Sequence, residues 1–193
     1  MVGIILSAIH QFTGINGVAF NSNKLFVEGV SGLEAEKAAR IGSFFIGVAG
    51  LAGTGFSVYL SKHFSKKTIM LFGEGEMMIN HFLLCILGLS NSKALQILAT
   101  NIFIFTFNVS MGQAMWVYTS ETLPSNGMTI VAFVNMVTTV IFGAFTNEFI
   151  RILTNPVFFF ILGLIQLMAF VFIYVFVKDR TSKLIIRFNI SIS

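Results

Sequence analysis

Six stretches of this chain, at about 2–22, 41–61, 69–89, 95–118, 128–147 and 156–177, each run for some twenty residues with hardly a charge. A helix of that length crosses a hydrocarbon layer roughly 30 Å thick. Backbone N–H and C=O groups facing lipid must be satisfied within their own segment, which leaves helices or a closed barrel. The two-residue alternation of barrel strands is absent. Of the 193 residues, 55% are hydrophobic and 10% charged, whereas a soluble domain carries about 25% charged residues. The expected fold is an all-α, multi-pass integral membrane protein. Its six transmembrane helices occupy residues 1–178, and residues 179–193 form a tail.

The N-terminus lacks the basic start and clean apolar core of a signal peptide. The one cysteine, Cys85, falls mid-span and excludes an internal disulfide. His10, His63 and His81 show no metal-ligand spacing, and no cofactor is implied. No nucleophile–base set or phosphate cradle is present, and "GEGE" at 73–76 lacks the strand–turn–helix setting of a phosphate loop. Nothing argues for catalysis. A net charge of +4 on so few charged residues fits basic loops facing lipid headgroups and not nucleic acid.

Lysine and arginine in short loops set orientation. One side holds Lys62, Lys66 and Lys67 in "SKHFSKKT" and Lys178, Arg180, Lys183 and Arg187 in the tail. The other holds Lys24, Lys37, Arg40, Lys93 and Arg151, diluted by acids. The concentration in "SKHFSKK" places both termini in the cytoplasm, at the plasma membrane or an internal one.

Polar side chains inside a span are expensive unless they face a partner or a wet cavity. The first span carries "AIHQFTGINGVAF". Gln11 and Asn16 are five residues apart, about 140° around an ideal helix. They share a face only if the helix unwinds between them, which Gly14 and Gly17 permit. Broken helices near the midplane expose amides to a substrate in secondary transporters. A straight helix with close glycine packing and amides bonded to neighbours is the competing reading. In the fourth span, Asn108, Gly112 and Trp116 recur every four residues and form one stripe, with Gln113 beside it. Amide, bare backbone and indole suit a hydroxyl-rich ligand; alternatively Trp116 anchors the membrane interface. Asn135 is the strong polar signal of the fifth span, beside Thr138 and Thr139. At the cytoplasmic rim, Glu121 and the pair Lys66 and Lys67 could form a latch, or remain a solvated pair worth about 0–1 kcal/mol. Glu74 and Glu76 join that network or snorkel outward.

These motifs resemble the C-terminal six-helix half of a sugar porter of the major facilitator superfamily, over about residues 4 to 178. "HQFTGIN" is similar to the seventh-helix motif QQxxGIN, and "GQAMWVYTSETLP" to the tenth-helix pattern GPxPWxxxSExxP. "SKHFSKK" is similar to a loop with an acid, a glycine and two arginines, and "AFVNMVTT" to an eleventh-helix stretch with a cavity-facing asparagine. The resemblance implies sugar contacts for Gln11, Asn16, Trp116 and Asn135, with His10 in a glutamine's place. It also implies a salt-bridge role for Glu121. The departures are His10, a glycine near position 50 where the family has asparagine, the missing tenth-helix prolines, Lys62 in an acid's place, a shortened loop after "SETLP" without its arginine, and the lack of the N-terminal six helices.

The function so implied is transmembrane carbohydrate transport by alternating access, as a half-transporter or fragment. The implied partners are a sugar, the lipid bilayer, and an N-terminal half or second copy that covers the cavity face. The alternative is a degenerate or regulatory membrane protein that pairs with a full-length transporter and moves nothing.

Overall fold

The computed structural model describes residues 1–19, 32–90 and 93–179. It consists of helices α1 (Val2–Phe12), α2 (Gly32–His63), α3 (Lys66–Gly88), α4 (Lys93–Val109), α5 (Met111–Thr122) and α6 (Ser125–Phe176). Residues 15–19 add a short helical piece after α1. Among the described residues, six helical stretches are long and apolar enough to cross a membrane: Val2–Ala19, Ala39–His63, Lys66–Gly88, Ala94–Thr122, Ser125–Thr146 and Glu148–Phe176. These match the six apolar windows of the sequence. The fourth runs on to Thr122, where Pro124 and its fixed φ set the next N-terminus. The expected tail lies outside the described residues beyond Asp179.

The last two spans both belong to α6, which turns at Thr154 (φ 65, ψ 157). Positive φ is costly for a β-branched residue. Pro156, two residues on, has no N–H to satisfy and suits the first turn of the final span. Glu148 and Arg151 form a surface ion pair beside this turn, 2.6 Å apart.

The helices meet where side chains are small, as expected when no hydrophobic drive separates helix from lipid. α3 runs antiparallel to the second half of α6. Gly88 packs on Pro156, Phe82 on Gly163, and Gly75 on Phe170. The first span lies on the first half of α6 through Gly3 of α1 against Val131 and Gly17 of the short piece against Thr146. The Ser7 hydroxyl donates to the Val131 carbonyl at 2.8 Å. α2 approaches α4 at Gly53, where a Cβ would stand 2.6 Å from the Phe105 carbonyl. Met70, Met77, Phe103, Met111, Met115 and Leu162 fill the centre. Phe44, Leu51, Phe72, Phe133 and Met168 point outward, as a surface solvated by acyl chains requires.

Candidate functional site

The first span is broken where its glycine pattern allows. α1 ends at Phe12, and Thr13 N–H and Gly14 N–H bond back to the carbonyls of Ile9 and Gln11 at 3.0 and 3.1 Å. Gly14 then takes φ +80, the left-handed conformation that glycine adopts without steric penalty. Thr13 secures both sides of the break. Its hydroxyl donates to the His10 carbonyl at 2.8 Å and accepts from Ile15 N–H at 3.3 Å. The turn brings Asn16 back over Gln11, so that the Asn16 amide donates to Gln11 Oε1. An unbroken helix would hold those two side chains on different faces.

Around this break the polar groups of two spans interlock. The Gln11 amide donates to Asn135 Oδ1 at 3.0 Å and to His10 Nδ1 at 3.2 Å. Asn135 donates to the same Nδ1 at 3.2 Å and to the Ser7 carbonyl at 3.5 Å. With both amides donating to Nδ1, His10 Nε2 bears the imidazole proton. His10, Gln11 and Asn135 are all buried, and the pairing of both amides is what makes their burial tolerable. Asn16 is half-buried. Among the described residues its carbonyl oxygen and one of its N–H bonds have no protein partner.

The fourth span closes the site from the other side. It too is broken, at Ser110 (φ −110, ψ −96) between α4 and α5, although the segment holds no proline. Ser110 N–H reaches the Thr106 and Phe107 carbonyls at 3.0 and 3.2 Å, and its hydroxyl donates to the Thr106 carbonyl at 2.7 Å. Gly73 of α3 faces this joint so closely that any Cβ there would overlap the Ser110 side chain. Beyond the joint, the half-buried Trp116 lies edge-on to His10, ring centroids 6.2 Å apart at 70°. Gln11, Asn16, Asn135, His10 and Trp116 therefore converge, drawn from three spans.

Two expectations for this span need correction. Asn108 does not share a stripe with Trp116. The joint at Ser110 interrupts the helical spacing, and Asn108 donates to the Ile104 carbonyl at 2.8 Å while packing on Gly50 and Gly53 of α2. Gly112 does not offer bare backbone on all sides, because the Phe107 carbonyl and ring lie against it. That ring is the residue missed from sequence. It stands 5.0 Å from His10 and takes the place expected for Asn108. An apolar ring in an apolar run carries no signal that separates it from core packing.

The cytoplasmic rim also differs from expectation. Glu121 is exposed and forms no ion pair with Lys66 or Lys67. Lys67 instead donates to the Tyr174 carbonyl at 2.7 Å, with its ammonium 5.5 Å from that ring's centroid. Lys66 reaches back to the Ser61 carbonyl at 3.4 Å. The end of the last span, adjacent to α3, takes up the cation that a latch would need. Glu74 neither snorkels nor reaches the rim, since it is fully buried and faces the bundle interior. His81 packs among rings, 4.9 Å from Phe103 and 6.0 Å from Phe159.

The converged groups can recognise neutral hydroxyls. Amide oxygen, amide N–H and imidazole N–H offer both hydrogen-bond senses, and the indole and phenyl rings offer apolar faces. No metal-binding group of His, Cys, Asp and Glu occurs among the described residues.

Comparison with known proteins places this arrangement. The family model described as "Sugar (and other) transporter" matches residues 1–187. The chain is 30% identical over 188 residues to Hexose transporter 1 of Plasmodium vivax, covering 93% of this chain and 36% of that protein. It is 27% identical over 191 residues to the glucose transporter GlcP of Staphylococcus epidermidis, covering 95% and 42%. Among solved structures, a D-xylose-proton symporter superposes with a TM-score of 0.79 at 22% identity, over 92% of this chain and 42% of that one. A partially occluded, inward-open xylose transporter from E. coli gives 0.78 at 21%, over 92% and 39%. The chain thus spans about two fifths of the length of these relatives, and its six spans have the fold of one half of a major facilitator protein. With the family model matched across nearly its whole length, this multi-pass membrane chain belongs to the sugar (and other) transporter family.

Proposed function

We propose that the chain is the C-terminal six-helix half of a hexose-type sugar transporter and contributes one wall of a cavity that works by alternating access. The observation that carries this reading is the convergence of Gln11, Asn16, His10, Asn135 and Trp116 at a break in the first span. The names of the relatives, a hexose transporter and a glucose transporter, support the substrate class. In this reading Asn16 and the His10 Nε2–H meet sugar hydroxyls, and Trp116 packs on a C–H face. Gly112 lets Phe107 close the pocket floor. Both termini face the cytoplasm, residues 179–193 form a cytoplasmic tail, and an N-terminal six-helix half or a second copy covers the cavity. Glu121 meets Lys66 or Lys67 in a state with the inner face differently arranged.

Trp116 is the chain's one tryptophan, so its fluorescence reports on the site without labelling. The chain in lipid nanodiscs, alone or co-expressed with an N-terminal six-span half, is titrated with D-glucose and L-glucose. A saturable change with the D sugar, weakened in Asn135→Ala, is expected. Identical responses to the two enantiomers in both preparations would remove the assignment.

One observation favours a second reading. The amides of Gln11 and Asn135 bond each other, which also describes a packing seam in a regulatory protein that pairs with an intact porter. Co-purification with such a porter, without sugar binding, distinguishes it.

A further inference from the structure

A second polar cluster lies behind the first and has no role in the sugar reading. On α3, Met70, Glu74, Met77, His81 and Leu84 follow at spacings of four, three, four and three residues, and all are buried to 2% exposure or less. They form the inward stripe of that helix. On the second half of α6, Phe159, Leu162 and Gln166 form the opposing stripe. Phe159 touches His81, Leu162 lies under Gly14, and Gln166 is fully buried. The contacts of Gly75 with Phe170 and of Phe82 with Gly163 fix the register. They place Gln166 level with residue 79 of α3, between Glu74 and His81, about 3 Å of axial rise from His81 and about 7.5 Å from Glu74 at 1.5 Å per residue.

Glu74 Oε1 and Oε2, Gln166 Oε1 and Nε2, and His81 Nε2 are all buried without a protein hydrogen-bond partner. The surrounding helices bring no cation. Lys66 and Lys67 stand eight and seven residues away along α3 and are engaged with the Ser61 and Tyr174 carbonyls. α4 presents Phe103 and Thr106, α5 begins at the Ser110 joint, and α6 has no lysine or arginine between Arg151 and Lys178. Of the titratable groups nearby, Glu76 lies on another face; Asn80 donates to its Oε1 at 3.5 Å, and its Oε2 is buried without a partner. His81 Nδ1–H donates to the Met77 carbonyl at 2.7 Å. His10, on α1, is taken up by Gln11 and Asn135.

An ionised carboxylate cannot rest uncompensated at this depth in a membrane bundle. A metal cation of the hard, oxygen-seeking kind gathers six or more oxygens. Here the neighbours of Glu74 on its own stripe are Met70 and Met77, whose thioethers offer no oxygen. We propose that Glu74 is a proton-binding site inside the bundle. The proton comes from bulk water and adds to one carboxylate oxygen, and no other bond forms or breaks. The site lies under the break in the first span, because His81 Nε2 stands 3.6 Å from where a Cβ on Gly14 would be. Its use as a coupling site rests on the proposed sugar transport. The site itself does not, and the test reads the site alone.

The full chain in lipid nanodiscs is examined by infrared difference spectroscopy in sodium chloride and in choline chloride. The wild type should show a protonated-carboxyl C=O band that is lost in Glu74→Gln, kept in Glu76→Gln, and the same in both salts. A Glu74→Gln spectrum identical to wild type overturns the proposal, as does loss of the band on adding sodium. If Glu74→Gln fails to fold, the wild type is treated with dicyclohexylcarbodiimide, which attacks protonated carboxyls from the apolar phase. Peptide mass mapping should then find the adduct on Glu74, increasing as pH falls; an adduct on Glu76 in its place overturns the proposal.

Discussion

Two polar clusters are buried in one bundle, and they are held in opposite ways. Around Gln11 every amide N–H of Gln11 and Asn135 finds an acceptor. Two amides share one imidazole nitrogen, exchange a bond with each other, and reach a carbonyl besides. Around Glu74 the carboxylate, the Gln166 amide and one His81 nitrogen end in apolar surroundings. The difference is chemical before it is geometric. Asparagine and glutamine carry donors and acceptors in equal number and can saturate each other. A carboxylate flanked by thioethers cannot. The first cluster therefore contributes to holding the helices together, whereas the second costs stability unless something neutralises it.

The clusters meet at Gly14, and the largest effect is expected there. Gly14→Ala forces a side chain into positive φ, costing about 1–2 kcal/mol. It also drives Cβ to 2.6 Å from Leu162 Cδ1, adding repacking of about 1–2 kcal/mol. The thermal midpoint in detergent should fall sharply. Asn16 should also separate from Gln11, which a spin-label distance between α1 and residues 15–19 would detect. An unchanged midpoint would mean that the break does not organise the site. Next comes Gly73→Ala, which puts a methyl group into Ser110 and should cost about 1–3 kcal/mol. Ser110→Gly in the same chain should recover most of that loss. A double-mutant cycle showing simple additivity would rule out the close approach at the joint.

These breaks show what the sequence discloses and what it hides. The six spans were legible because length and apolarity alone decide them. The convergence of Gln11 with Asn16 was legible from one angle. Two amides 140° apart beside two glycines are either on separate faces or on an interrupted helix, and the φ of Gly14 selects the second. The joint at Ser110 was not legible. The resembling pattern carries prolines in this helix that are missing here, and a serine bonding its own helix does the bending against a glycine from another span. Asn108 was misplaced for that reason, since a four-residue spacing means one face only in an unbroken helix. The inward direction of Glu74 was equally hidden. Nearness to the end of a span argues for snorkelling, and only the packing of α3 on α6 turns it inward. Glu121 and Lys67 stand apart in this arrangement because Lys67 has an acceptor in the last span.

Asn135→Ala sharpens the comparison from the paired side. It strands a Gln11 N–H and reduces the donors on His10 from two to one. A buried polar group left unpaired costs about 1–3 kcal/mol, although interhelical hydrogen bonds in membranes average nearer 0.6 kcal/mol because the unfolded chain also finds partners. A loss within that span, read by denaturant titration in mixed micelles, is expected; a gain in stability would show that the network is strained.

Gln166→Leu is the mirror experiment and the smallest effect. The substitution removes two buried, unpartnered polar atoms and keeps close to the same volume. Removing a polar group that has no partner is neutral or stabilising, by about 0–1 kcal/mol here. The sign matters more than the size. Were Gln166→Leu to destabilise as much as Asn135→Ala, the Gln166 amide would have to be bonded in the folded state, and the two clusters would differ only in which partners complete them. A midpoint equal to or above that of the unaltered chain would establish that the bundle keeps Gln166 for something other than stability.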